Sequence, residues 1–533
     1  MNPASRSLVL PGALLALLLA CGCESEDCCA TPTDLPADAA DVVEPDVPGE
    51  LPGCVDAGDR DPGDPDVAEP DVPAPDADDP DATDPDATDP DAVDATDPGR
   101  EVRDPVPLTP GACDQPAYEW LPFDQMGQVV AWEEDPLLAL DAATIDGLLG
   151  DFGYPHLSPV SYGVRVFVYR YTTQDRGVPV EATATLAVPI DPAGRKDFST
   201  VAWLHGTSGF SDECAPSRGL EGKGQGGVVA SLGFIAVVPD YIGMTGIGEP
   251  DGMFQTYLIG ESTAIGSWDA VRAAHELLRT DLAGLVEPDW QVVPWGGSQG
   301  GHAALFMGRY APYYAPEYDV PGVAALVPPA DLTAQASTAL ASLNGRTALL
   351  GVFLIQATRW YRDDAALADL LTDDDPLHLV TTLPQYLDTN CGGHNPFKDV
   401  STLDQLFTAQ FLQSMAAYGL SGTEPYGCFL RENSLTTTSV ARADDTPVLY
   451  VLAENDELVD TAAERTSFDT LCAQGQRLQY LECANASHVE GPLWSIVTQR
   501  DWIHARFAGE PLDPGVFCVR GEPIACDAKP IED

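Results

Sequence analysis

The sequence predicts an α/β fold in which a mostly parallel β-sheet is covered by helices. Three observations carry this: a leading β-rich hairpin, a series of short apolar runs, and helix-period stretches between several of them. VRVFVYRYTT (Val164 to Thr173) alternates, QDRGVP turns the chain, and VEATATLAVP (Val180 to Pro189) returns as the antiparallel partner. The apolar runs STVAWLHG (Ser199 to Gly206), GFIAVVPD (Gly233 to Asp240) and WQVVPWGG (Trp290 to Gly297) read as buried strands. So do GVAALVPPAD (Gly322 to Asp331), TPVLYVLAEND (Thr446 to Asp456) and RLQYLECANASH (Arg477 to His488). In TAIGSWDAVRAAHELLRT (Thr263 to Thr280), Ile265, Val271, Ala274 and Leu278 fall towards one side of a helix. GGHAALFMGRYA continues helically past Ser298, and WSIVTQRDWIHARFA (Trp494 to Ala508) is expected to form the last helix. Residues 332–443 break the rhythm between the sixth and seventh strands with helical stretches rich in Leu, Phe and Met. They leave the C-terminal end of a strand, where open α/β sheets hold their ligand sites, so a helical cap over the site is expected.

The first hundred residues are of another kind. Arg6 precedes the apolar run LVLPGALLALLLA (Leu8 to Ala20), which is too short for an ordinary membrane span and reads as a signal segment over residues 1–20. LLAC (Leu18 to Cys21) resembles a bacterial lipobox, which implies cleavage before Cys21 and lipidation of that cysteine. Residues 21–105 contain an Asp-Pro-Asp-Ala-Thr period and almost no large apolar side chains. Such a segment buries no core, and proline and charge repulsion extend it, so a disordered tether is expected. The globular domain is placed at 106–533. These features predict an exported monomer, lipid-anchored to the cell envelope, with the outer membrane or cell surface favoured.

With 84 Asp and Glu against 26 Lys and Arg, the net charge is −58, which argues against nucleic acid as a partner. Neither a zinc-ligand spacing nor a phosphate-loop lysine appears, so no metal and no cofactor are expected. Thirteen cysteines in an exported chain suggest disulfides. Nearest-neighbour pairing gives Cys391–Cys428, Cys472–Cys483, Cys518–Cys526 and Cys113–Cys214, a connectivity that sequence alone does not fix.

Chemistry enters at Gly296-Gly297-Ser298-Gln299-Gly300. A buried strand before this Gly-x-Ser-x-Gly and a helix after it is the context of a serine held on a strained strand-to-helix turn. Gly296 and Gly300 are required where side chains would collide as strand and helix approach. A phosphate cradle is excluded because Ser298 stands where the second glycine of Gly-x-Gly-x-x-Gly belongs. A serine hydroxyl needs an adjacent base, and the base needs an orienting carboxylate. Both follow in chain order: Asp456 where the chain leaves the next-to-last strand, with Glu454, Glu457 and Asp460 as rivals, and His488 on the loop after the last strand. The oxyanion donors are expected to be the N–H groups of Gln299 and Thr207, with Gly206 as the alternative to Thr207.

At these residues the sequence resembles the bacterial branch of the secretory lipases, within the α/β-hydrolase fold. The motifs are LHGTSG…CAPS (Leu204 to Ser217), VVPDYIG (Val237 to Gly243), GGSQGGHAALF, and VPPADL followed by a helical insertion. The resemblance covers roughly Tyr162 to Gly509 and implies an acyl-ester hydrolase with a helical cap. The family often carries His or Tyr at the position of Gly297, so this chain departs there, and a wider acyl pocket is expected. The combined reading is a serine carboxylic-ester hydrolase, a lipase or esterase, acting on apolar esters and possible lipids through an acyl-enzyme on Ser298. A serine peptidase or amidase on the same fold is an alternative, as is a catalytically inactive surface-binding domain.

Overall fold

The computed structural model describes residues 102–151, 157–340, 343, 345–374, 376–391 and 396–526. The expected signal segment, Cys21, the tether up to residue 101, and His156 and His394 lie outside the described residues.

In chain order the strands are β1 (Val129–Glu134), β2 (Gly163–Asp175), β3 (Val178–Ile190), β4 (Asp197–Leu204), β5 (Ile235–Pro239), β6 (Glu287–Gly297), β7 (Val323–Leu326), β8 (Val448–Ala453) and β9 (Leu478–Cys483). They form one sheet in the order β1-β2-β3-β5-β4-β6-β7-β8-β9. The pairs from β1 to β5 are antiparallel, and β5-β4-β6-β7-β8-β9 is parallel throughout. The β2–β3 hairpin closes on Arg176 and Gly177, both at positive φ (50° and 74°). That is the two-residue turn whose twist matches the strands it joins.

The helices are α1 (Ala142–Asp151), α2 (Leu220–Ser231), α3 (Gly260–Arg279), α4 (Gln299–Tyr314), α5 (Leu332–Ala339), α6 (Gly345–Tyr361), α7 (Leu367–Leu370), α8 (Leu379–Thr389), α9 (Leu403–Leu406), α10 (Ala409–Tyr418), α11 (Tyr426–Glu432), α12 (Thr461–Ala473), α13 (Glu490–Trp494) and α14 (Ile496–Phe507). Two apolar layers sandwich the sheet. One packs α3 and α4 against Tyr169, Tyr171, Val237 and Val292, and the other packs α2 and α14 against Val166, Val201, Val293 and Val451. This follows from the pleat: Val292 and Val293 are successive residues of β6 and face opposite layers. The expected single last helix is divided, α13 ending at Trp494 before α14 begins at Ile496.

The helices α5 to α11 form the insertion between β7 and β8, the sixth and seventh strands read from sequence. β1 is an additional strand, mostly exposed at the sheet edge and so without the alternation that marks its neighbours. The insertion has an apolar core of its own, built from Phe353, Leu354, Leu383, Phe407 and Phe429. Tyr257, Leu258 and Ile259, from the loop before α3, complete that core.

The cysteine pairing differs from the nearest-neighbour expectation. Cys113 is bonded to Cys428, Cys472 to Cys518, and Cys483 to Cys526. None of the four expected pairs forms. Cys472 lies near the start of β9 and Cys483 at its end, so the strand holds them apart. The C-terminal segment runs beside β9, with Cys518 N–H donating to Leu478 O and Ile524 N–H to Glu482 O. Its two cysteines therefore reach opposite ends of the strand. Cys214 is a buried thiol whose Sγ approaches Asn390 O at 3.7 Å. Hydrogen bonding with neighbouring Cys391 lowers its pKa to about 6.

Candidate active site

Ser298 stands between β6 and α4 at φ 57°, ψ −121°. This left-handed backbone is costly for a residue with a Cβ, and such strain concentrates at functional sites. The flanking glycines follow from the same turn. A Cβ on Gly296 would meet the Leu204 and Gly300 carbonyl oxygens at 2.5 Å, and one on Gly300 would overlap the Leu204 carbonyl outright. Gly297 is different: a Cβ there meets Leu326 and Pro492 at 3.8–3.9 Å, which is ordinary contact. Gly297 is not among the residues lining the cleft beside Ser298.

The loops leaving β8 and β9 are zipped together. Asn455 N–H donates to Ala486 O at 2.9 Å, and Asn485 N–H donates to Glu454 Oε2 at 2.7 Å. This brings Asp456 against His488, whose Nδ1 lies 2.7 Å from Asp456 Oδ2. The other carboxylate oxygen, Oδ1, accepts from the N–H groups of Leu458 (2.9 Å) and Val459 (2.7 Å). The rival carboxylates are occupied elsewhere. Glu454 takes the Asn485 N–H, Glu457 takes the His488 backbone N–H, and Asp460 accepts from Ala463 N–H at the start of α12. Both side chains of the Asp456–His488 pair are almost wholly buried. His488 Nε2 is buried without a hydrogen-bond partner among the described residues, so a bond to Ser298 is not made in this structure.

Ser298 opens on a cleft whose empty space, open solvent included, is about 570 Å³. Leu332, Ala336, Leu349, Leu350 and Phe353 of the insertion line it, together with Tyr257, Leu258, Leu458 and Val459. Arg346 is its one charged lining residue among the described residues. The Gln299 side chain also lines it, with both amide atoms buried and unpartnered among the described residues. Gln299 is the first residue of α4, where backbone N–H groups have no acceptor within the helix. Thr207 lies on the loop after β4, its Oγ1 3.1 Å from Tyr257 Oη. Gly206 O contacts His205 Nδ1 at 2.6 Å. Sequence reading missed Tyr257, Gln335 and Arg346, which carry no motif.

The other buried histidines are structural. His205 stacks on Tyr241 and His302 contacts Asn433 O at 2.8 Å, and burial pushes both down to about 4. No group of His, Cys, Asp and Glu that could hold a metal occurs among the described residues.

A family model described as secretory lipase matches residues 228–515, more than half of the chain. The chain belongs to the secretory lipase family. A member named as a secreted triacylglycerol lipase, from Malassezia globosa, is 23% identical over 358 residues, covering 65% of this chain and 72% of that one. A Mycobacterium tuberculosis protein named as a probable inactive lipase is 25% identical over 380 residues, covering 68% and 77%. Among solved structures, the rice cell wall degrading esterase LipA from Xanthomonas oryzae aligns at TM-score 0.57 and 18% identity, covering 72% of this chain and 97% of that one. The last likeness is one of fold. As a secretory lipase this chain is an ester hydrolase of the α/β-hydrolase fold.

Proposed function

We propose that this secretory lipase is a serine carboxylic-ester hydrolase working through an acyl-enzyme on Ser298. Ser298 Oγ attacks the ester carbonyl while His488 Nε2 takes its proton. The same proton then goes to the departing alcohol, and water repeats the sequence to release the acid. Asp456 fixes the imidazole with Nδ1 protonated and Nε2 free to accept, and stabilises its cation. The N–H groups of Gln299 and Thr207 are assigned to the oxyanion, each worth about 3 kcal/mol in the transition state. The observation that carries this reading is the buried Asp456–His488 bond at 2.7 Å. The apolar lining of the Ser298 cleft supports uncharged ester substrates. The family's secretory character supports export, and the lipid anchor on Cys21 and the Asp/Pro-rich tether remain part of the proposal. No described helix is long and apolar enough to cross a membrane.

The test is hydrolysis of p-nitrophenyl esters from acetate to palmitate by the full chain and by Ser298→Ala, with aminoacyl anilides in parallel. Ester turnover lost in the variant is expected, and the chain-length profile separates esterase from lipase. Anilide turnover exceeding ester turnover would replace this reading with an amidase. A folded wild type as inert as the variant would place it beside the relative named inactive.

A further inference from the structure

Arg346 lies in the first turn of α6, where a cation opposes the helix dipole. Its hydrogen bonds go instead to the loop after β8. Nε donates to Glu457 O at 2.8 Å, Nη2 to Asp456 O at 2.8 Å and Nη1 to Asp460 Oδ2 at 3.2 Å. The ion pair is mostly shielded, its side chains 20% and 24% exposed. Gln335 of α5 grips the end of the same loop and the helix that follows: its Oε1 accepts from Asp460 N–H at 2.8 Å and its Nε2 donates to Glu464 Oε1 of α12 at 2.7 Å. So the seven-residue loop between β8 and α12 carries the acid and is held by two helices of the insertion. Arginine suits the place because its planar fork spans two carbonyls and a carboxylate at once, which an ammonium does not. A residue that breaks a local preference while satisfying a distant loop marks a functional constraint.

We infer that Arg346 is a positioning residue that ties the seating of the insertion to the alignment of Asp456 with His488. The inference rests on the proposed triad. With α5 and α6 seated, the acid loop is braced. Displacement of α6 breaks three hydrogen bonds to that loop and releases the backbone of the catalytic acid. The insertion thereby helps to set the triad, beyond forming a wall of the cleft.

The test uses the full chain as wild type, Arg346→Met and Arg346→Lys. Active sites are titrated with a fluorophosphonate, and kcat and KM for p-nitrophenyl butyrate are measured from pH 5 to 9. Misplacing a catalytic group by about 1 Å costs up to about 100-fold, so Arg346→Met should lower kcat about 10- to 100-fold. KM should stay within about threefold, the acid limb of the kcat profile should move, and Arg346→Lys should recover part of the loss. A raised KM with unchanged kcat, or a lowered Tm with wild-type kcat and pH profile, overturns the inference. If Arg346→Met does not fold, a wild-type kcat and acid limb in Arg346→Lys has the same force. If the wild type hydrolyses no ester, the triad reading fails separately. The downfield proton signal of His488 Nδ1–H, assigned by its loss in His488→Gln, then decides. A shift or broadening in Arg346→Lys supports the coupling, and an unchanged signal overturns it.

Discussion

Ser298 and its neighbours show how little freedom a single residue has at a strained turn. Gly300 and Gly297 both flank Ser298 in a glycine-rich run, yet only one of them is forced. A Cβ on Gly300 overlaps the Leu204 carbonyl, whereas one on Gly297 meets ordinary contacts. Gly300→Ala is therefore expected to abolish ester hydrolysis and lower stability by about 2 kcal/mol or more, as overpacking does. Gly297→Ala should keep the melting temperature within a few degrees and retain hydrolysis. Calorimetry and the ester assay together check this, and equal effects of the two substitutions would refute the packing account. The histidines make a related point. Eight occur in the chain, and the loop after the last strand was enough to single out His488 for its pairing with Asp456. Which carboxylate faced it was less legible, because four acids crowd residues 454–460 and only the zipped loops separate them.

At the scale of elements, the sequence made plain the β2–β3 hairpin through alternation and its turn, and the later strands through continuous apolar runs that leave few other readings. β1 escaped notice because an exposed edge strand has no burial pattern to betray it. The disulfides were misread for a related reason: closeness in sequence is not closeness in space when a strand lies between. The Cys472–Cys518 bond closes a loop of sequence separation 46 beside β9. Replacing both cysteines with serine should cost about 2–4 kcal/mol, measured by denaturant unfolding. Non-reducing peptide mapping should recover Cys472 with Cys518 and Cys483 with Cys526. Recovery of Cys472 with Cys483 would contradict this arrangement of the C-terminal segment.

At the scale of the whole molecule, burial has stranded several carboxyl groups. Glu464 is raised to about 8 by desolvation, against hydrogen bonds from Tyr450 and Gln335. Desolvation likewise raises Glu221 and Glu261 to about 7. In the unfolded chain these glutamates ionise near pH 4.5, so between there and pH 8 the folded state holds more protons. Their contribution to stability therefore falls as pH rises and is fully lost above about 8. The buried histidines His205 and His302, held at about 4, act in the opposite sense, but only below about pH 6.5. The melting temperature should thus decline from pH 6.5 to 8.5, and Glu464→Gln should reduce that slope. A flat or rising profile would show that these groups are ionised in the folded state.

By itself the sequence determined the succession of buried strands, the helices α3 and α4, the strained serine turn and the chain order of Ser298, Asp456 and His488. Each depends on local residue type and spacing: apolar runs, glycines at a close approach, and polar residues at strand ends. Only the tertiary structure decided the cysteine partners, the edge strand, the cleft lining and the grip of Arg346 on the acid loop. These depend on which segments meet in space. Arg346 and Asp456 are more than a hundred positions apart, and nothing local to either records the other.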